Sequence, residues 1–146
     1  MARLLGIDYG ERRIGVALSD ESATIATPLQ VITVQGRDQA VRDVIALAQT
    51  HGAQRIIVGR PVRLDGGDGP AAEKALGFGR ALQEAGGLPV GFWDERYSTR
   101  TAEQALIAGG ARRNRRKQVV DKLAAQIILQ HYLDAQAGLP ELPEPP

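Results

Sequence analysis

Arg3-Leu4-Leu5-Gly6-Ile7-Asp8-Tyr9-Gly10-Glu11-Arg12-Arg13-Ile14-Gly15-Val16-Ala17-Leu18-Ser19 contains two apolar runs split by a short polar segment. Runs of this length on either side of Tyr9-Gly10-Glu11-Arg12 predict two strands, Arg3–Asp8 and Arg13–Ser19, joined as a hairpin. A third strand is expected over Leu29–Val34, where Val31, Ile32 and Val34 are β-branched and Pro28 and Gly36 bracket the run. Ala40, Val41, Val44, Ile45, Leu47 and Ala48 then recur at helical spacing, which predicts a helix over Gln39–His51 that stops at Gly52. Further along, Arg55–Gly59 reads as a strand, Ala71–Ala85 as a helix and Leu88–Trp93 as a strand. Two helices close the chain, Thr99–Ala108 and Gln118–Ala137, with a basic loop between them. A three-stranded meander followed by strand–helix alternation predicts an α/β fold with a mixed five-stranded sheet and helices on both faces.

A chain of 146 residues with 43% hydrophobic content fits one compact domain, assigned here to residues 1–137. Residues 138–146 carry four prolines and two glutamates, so a short acidic tail without helix or sheet is expected there. There is no cysteine, which excludes thiol catalysis, cysteine-held zinc and iron–sulfur clusters. The apolar stretch Leu4–Ile7 is too short for a signal peptide core or a membrane span, so a soluble, cytoplasmic protein with no membrane partner is expected. The net charge of +1 gives no global case for a polyanion partner. Its distribution is more informative: Arg112, Arg113, Arg115, Arg116 and Lys117 form a dense basic run, which is either a phosphate-binding element or a solvated loop.

Three acids stand where the pattern is otherwise apolar. Asp8 ends the first strand, just before the glycine turn; taken alone it is better explained as a turn aspartate bonding its own backbone. Glu95 follows Val90, Phe92 and Trp93, and is placed at the C-terminal end of a central strand, the edge where open α/β sheets bind ligands. Taken alone it is slightly better explained as an exposed strand-end acid paired with Arg96 or Arg100. Asp94 must point the other way in an extended strand, so only one of the two can join a given site. Asp121 precedes Ala124, Ala125 and Ile128 by helical spacings that share one face. On an apolar stripe a carboxylate is costly unless a cation or donor meets it, although a first-turn acid facing the helix dipole is an ordinary alternative.

Convergence of three acids from separate elements has a chemical rationale. Phosphodiester hydrolysis needs an activated water and a stabilised leaving oxygen, and a pair of hard cations supplies both. Carboxylate oxygens suit Mg²⁺ or Mn²⁺, which keep several waters and need few protein ligands.

At these residues a resemblance becomes specific. Gly6-Ile7-Asp8-Tyr9-Gly10 with Arg13-Ile14-Gly15-Val16-Ala17, and Val58-Gly59-Arg60-Pro61 with Asp65-Gly66-Gly67-Asp68-Gly69-Pro70, resemble the YqgF/RuvX family. So do Asp94-Glu95-Arg96-Tyr97-Ser98-Thr99 and Val120-Asp121-Lys122-Leu123-Ala124-Ala125 followed by Ile128-Leu129-Gln130. The likeness extends in order to about Leu133. It implies a ribonuclease H-like fold related to Holliday junction resolvases, and a nuclease assigned to maturation of the 5′ end of pre-16S ribosomal RNA. It also implies that Asp8, Glu95 and Asp121 are the catalytic, metal-binding acids, and that the glycine-rich segment after Pro61 borders the site. Arg60 stands where an aliphatic residue is common in the family, and Arg63-Leu64 where Asn-Met is common; both arginines can add phosphate contacts.

Arg13, Arg60, Arg96, Arg100, Arg112, Arg113, Arg115, Arg116 and Lys117 are the candidate nucleic-acid contacts, suited to positioning a backbone without reading its sequence. His51 and His131 show no metal-ligand spacing. Aromatics make up 4% of the chain, which favours backbone and shape recognition, and core packing is expected for at least one of Phe92 and Trp93. Within the resemblance, RNA is favoured over branched DNA, and the state is monomer or homodimer. Two other classes stay open. The Asp-x-Gly hairpin is similar to the phosphate-binding start of actin-like ATPases and sugar kinases, which need a second such domain, and a non-catalytic nucleic-acid-binding module would use only the basic residues.

Overall fold

The computed structural model describes residues 3–60, 69–94 and 113–137, with the side chains of the last stretch described over 123–136. Its sheet has five strands, β1 (Arg3–Asp8), β2 (Arg13–Ser19), β3 (Ala26–Thr33), β4 (Ala53–Arg60) and β5 (Val90–Asp94). They lie in the order β3-β2-β1-β4-β5. β2 is antiparallel to both β1 and β3, whereas β4 is parallel to β1 and to β5. The mixed sheet is the one the strand order predicts, and β1 is its centre.

Helices cover both faces. α1 (Arg37–His51) and α2 (Pro70–Gly86) pack on one, and α3 (Arg113–Ala137) on the other. Strand alternation divides the core accordingly. Leu5, Ile7, Ile56 and Val58 pack toward α1 and α2 with Val44, Phe78 and Leu82. Leu4, Ile57 and Ala17 pack toward α3 with Ala125, Ile128, Leu129 and Leu133. β1 and β4 are therefore covered on both sides, which is why their sequences are nearly continuous apolar runs. The one buried polar residue named among the described positions, Ser19, accepts from the Leu4 N–H at 2.8 Å and donates to the Asp20 carbonyl at 3.0 Å.

α3 is tied to the start of β3 by two glutamines. Gln126 donates to the Ala26 carbonyl at 3.0 Å; Gln130 accepts from the Ala26 N–H at 2.9 Å and donates to the Thr24 carbonyl at 2.9 Å. Four residues along α3 thus lead back toward the beginning of β3, so the helix runs opposite to β3 and β1. It lies directly on β1 at Gly6, where an added Cβ would sit 2.7 Å from the Leu129 Cβ and 3.1 Å from the Ala125 carbonyl.

Several expected boundaries move. β3 begins at Ala26 and contains Pro28. Because β3 is an edge strand, with a register shift opposite Val16/Ala17, the missing N–H costs little. α1 begins two residues early: the Gln39 side chain accepts from the Gln35 and Gly36 N–H groups at 2.7 and 3.3 Å, closing the helix start that a propensity reading places later. Its expected stop holds, with Gly52 in the left-handed conformation at φ 69°. β5 is an edge strand of the described sheet, where the sequence reading places it centrally. The basic run is not a loop: Arg113, Arg115, Arg116 and Lys117 lie in the first turns of α3. The expected helix Thr99–Ala108, Arg112 and the tail 138–146 lie outside the described residues.

Candidate active site

The parallel strands β1, β4 and β5 all end at one edge of the sheet, and β2 begins there. Asp8, Arg13, Arg60 and Asp94 are therefore brought to that edge by topology alone. Register fixes their rows: Asp8 pairs with Gly15, Ile7 with Val58, and Arg60 with Asp94. Alternation puts Asp8 on the face of Leu4 and Gly6, the face that α3 covers. Its side chain is partly buried, as are those of Arg13 and Arg60, while Asp94 is exposed.

The turn after Asp8 is tightly determined. A Cβ on Gly10 would meet the Arg13 carbonyl oxygen at 2.5 Å, so the chain can reverse this sharply only with glycine there. The Val34 N–H donates to the Arg12 carbonyl at 2.8 Å. On the other side Tyr9 stacks obliquely on Phe78 of α2, ring centroids 4.6 Å apart, and Glu11 pairs with Lys74. The hairpin that carries Asp8 is thus braced against α2 as well as within the sheet.

Asp121 lies in α3, four residues before Ala125. Arg113, Arg115, Arg116 and Lys117 occupy the preceding turns of the same helix. Glu95, Arg96 and Arg100, like the glycine-rich stretch 61–68, lie outside the described residues. Among the described residues no three His, Cys, Asp or Glu side chains form a metal-sized group, and Asp8 is the one expected acid whose side chain is described. His51 ends α1 and His131 is exposed on α3, so neither joins this edge.

Sequence reading did not anticipate a small cavity of about 320 Å³ at this edge, lined by Tyr9, Arg37, Pro70, Glu73, Lys74 and Gly77. Arg37 reaches it from the start of α1 and donates to the Gly77 carbonyl at 2.6 Å. No sequence spacing links residues 37 and 74; only the packing of α1 beside α2 joins them. A larger cavity of about 590 Å³ lies toward the opposite edge, around the start of β5, lined by Arg55, Gln83, Gly87, Leu88, Pro89, Val90 and Gly91.

A family model described as RuvX, Holliday junction resolvase, matches residues 2–135. A Syntrophus aciditrophicus protein named "Putative pre-16S rRNA nuclease" is 44% identical over 133 residues, which cover 91% of this chain and 89% of the relative. A Symbiobacterium thermophilum protein of the same name is 44% identical over 138 residues, covering 94% and 96%. Among solved structures, T. thermophilus RuvC in complex with Holliday junction substrate shares the fold at a TM-score of 0.61 and 18% identity, covering 94% of this chain and 97% of that one.

Proposed function

The chain belongs to the RuvX family, and on that premise we propose that it is a metal-dependent nuclease in which Asp8, Glu95 and Asp121 form one metal-binding, catalytic cluster. The observation that carries this reading is the seat of α3 on β1. Ala125 and Leu129 meet Gly6, and the helix runs opposite to the strand. Stepping back from Ala125 to Asp121 advances ~6 Å along the helix, and going from Gly6 to Asp8 advances ~6.6 Å along the strand. The two steps match, which supports Asp121 and Asp8 sharing a level on the same face. Glu95 is the next residue in sequence after Asp94, which ends β5 at the edge where β1 ends with Asp8.

Three carboxylates are a hard oxygen donor set of the kind that takes Mg²⁺ or Mn²⁺. Ions bound there would supply an activated water and stabilise the leaving oxygen of a phosphodiester. The protein's own contribution is positional. The braced turn after Asp8 holds that carboxylate at the end of the central strand. Arg13 and Arg60 sit at the same edge, suited to gripping phosphates, and Arg96, Arg100 and Arg112 are assigned the same role. Arg113, Arg115, Arg116 and Lys117, in the opening turns of α3, are assigned to positioning a nucleic-acid backbone.

The name of the relatives supports an RNA substrate; processing of the 5′ end of pre-16S rRNA, a cytoplasmic location and a monomer or homodimer as the working state complete the proposal. A domain over 1–137 with an acidic tail over 138–146 belongs to the same proposal. No helix among the described residues is long and apolar enough to cross a membrane. The description of the matching family supports a second reading, resolution of branched DNA junctions. One experiment tests both: cleavage of an end-labelled structured RNA and of a four-way DNA junction, with Mg²⁺, Mn²⁺ or EDTA, by wild type, Asp8→Asn and Asp121→Asn. Metal-dependent cutting that disappears in both folded variants is the expected result, and the better substrate separates the readings. Binding without cutting by the wild type would overturn both and leave a non-catalytic binding module.

A further inference from the structure

We infer that the tail 138–146 docks back on its own domain, in the cavity at the start of β4 and β5, with its glutamates facing Arg55. The tail has a period of three: Leu139-Pro140-Glu141 is followed by Leu142-Pro143-Glu144. Its four prolines bias the backbone toward polyproline II, which turns once every three residues. In that conformation Leu139 and Leu142 form one row, Pro140, Pro143 and Pro146 a second, and Glu141 and Glu144 a third. Two apolar rows and one acidic row call for a groove that is apolar with a cation at its side. A segment already restricted to polyproline II also loses little freedom on docking, which is why such segments are recurrent ligands.

The cavity of about 590 Å³ has that chemistry: Leu88, Pro89 and Val90 give it apolar walls, and Arg55 is the one cation that lines it. The Arg55 guanidinium donates to the Tyr132 hydroxyl at 3.1 Å, a bond that uses one of its five N–H groups and sets it beside the closing turns of α3. Because α3 runs opposite to β1, it ends at Ala137 on the side of the sheet where β4 and β5 begin. Ala137 lies ~7.5 Å beyond Tyr132 along the helix axis. Gly138 follows at once, a residue type that readily reverses the chain after a helix. Three more residues of polyproline II span ~9 Å, which brings Glu141 back level with Tyr132 and Arg55. The basic turns at Arg113–Lys117 are a more distant partner. They begin ~30 Å from Ala137 along α3, whereas Glu141 and Glu144 are only ~12 and ~22 Å of polyproline chain from it. A single exposed ion pair is weak in water, so the leucine and proline rows supply the remaining contact. Tethering does the rest: a short linker presents the tail at an effective concentration on the order of millimolar, enough to fill a site too weak to bind between separate molecules.

The chain has no cysteine, so Pro146→Cys gives one attachment point for a nitroxide on the full-length protein. In the ¹⁵N-labelled chain that probe should broaden the amide signals of Gly87, Leu88 and Gly91 and spare those of Gly10 and Arg37 at the opposite edge. Glu141→Gln combined with Glu144→Gln, which changes no residue of any described helix or strand, should remove most of the broadening. Arg55→Gln should do the same, and Arg55→Lys should keep part of it. Broadening that is absent, or equal at both edges of the sheet, overturns the docking; so does broadening that survives both the paired glutamate changes and Arg55→Gln. Nitroxide-bearing protein mixed with ¹⁵N protein lacking the label should broaden nothing. Broadening in that mixture would give the cavity to the tail of a second copy and overturn docking within one chain.

Discussion

Asp20 shows how one side chain organises a connection far from the proposed chemistry. It closes the β2–β3 loop by accepting from the Thr24 and Ile25 N–H groups at 2.8 and 3.0 Å and from the Ser22 hydroxyl. Within the same loop Ala23 adopts φ 55°, a left-handed conformation that non-glycine residues seldom take. The Ser22 hydroxyl first, then the Ile25 and Thr24 N–H groups, favour the ionised carboxylate and lower its pKa to about 2. An unfolded aspartate titrates near ~3.9. A depressed folded value stabilises the fold above the unfolded pKa, and the contribution is lost as pH falls from ~4 toward 2. Urea midpoints measured across that window should therefore fall more steeply for wild type than for Asp20→Asn. Parallel slopes would show that the loop's hydrogen bonds do not couple to folding. Nothing in the sequence separates Asp20 from any other loop aspartate, because its partners are set by the loop's conformation.

Between elements, the decisive contact is α3 on β1. Gly6 admits the helix because it has no side chain, and a methyl group there would lie 2.7 Å from the Leu129 Cβ. Gly6→Ala should cost about 1–3 kcal/mol in denaturant unfolding, as overpacking does. On the proposed site it should also lower nuclease activity by more than the unfolded fraction explains, since lifting α3 would carry Asp121 away from Asp8. Full activity in a folded Gly6→Ala protein would sever the link between this contact and the site. Element types were legible because period and length decide them: the hairpin, the strand–helix alternation and the helix stop at Gly52 follow from local pattern. Their ends were less so. Pro28 looks like a strand boundary until the strand proves to be at an edge. The dense charge of Arg113 to Lys117 looks like a loop, because no apolar stripe marks a helix that leaves the sheet behind. The Gln126 and Gln130 clamps on Ala26 depend on a contact between residues about a hundred positions apart, which no local reading contains.

For the molecule as a whole, function depends on an edge that the topology builds. One strand order brings Asp8, Arg13, Arg60 and Asp94 together although they are spread over most of the chain. Asp8 was legible at the end of β1 as a polar residue interrupting an apolar pattern; the roles proposed for Asp8, Glu95 and Asp121 come from the family resemblance. What sequence could not supply was the direction and seat of α3 on β1, from which the proposed common level of Asp8 and Asp121 is argued, nor the separation of Phe92 from Trp93 onto different faces of β5. The net charge of +1 is uninformative for the same reason, since it sums over surfaces that the fold keeps apart. The account turns on three carboxylates acting as one site. Its most direct test is calorimetric titration of Mn²⁺ into wild type, Asp8→Asn, Glu95→Gln and Asp121→Asn, with circular dichroism confirming each fold. It predicts metal binding in wild type that weakens by at least ~10-fold in every variant. Binding that survives unchanged in any one of the folded variants would contradict it.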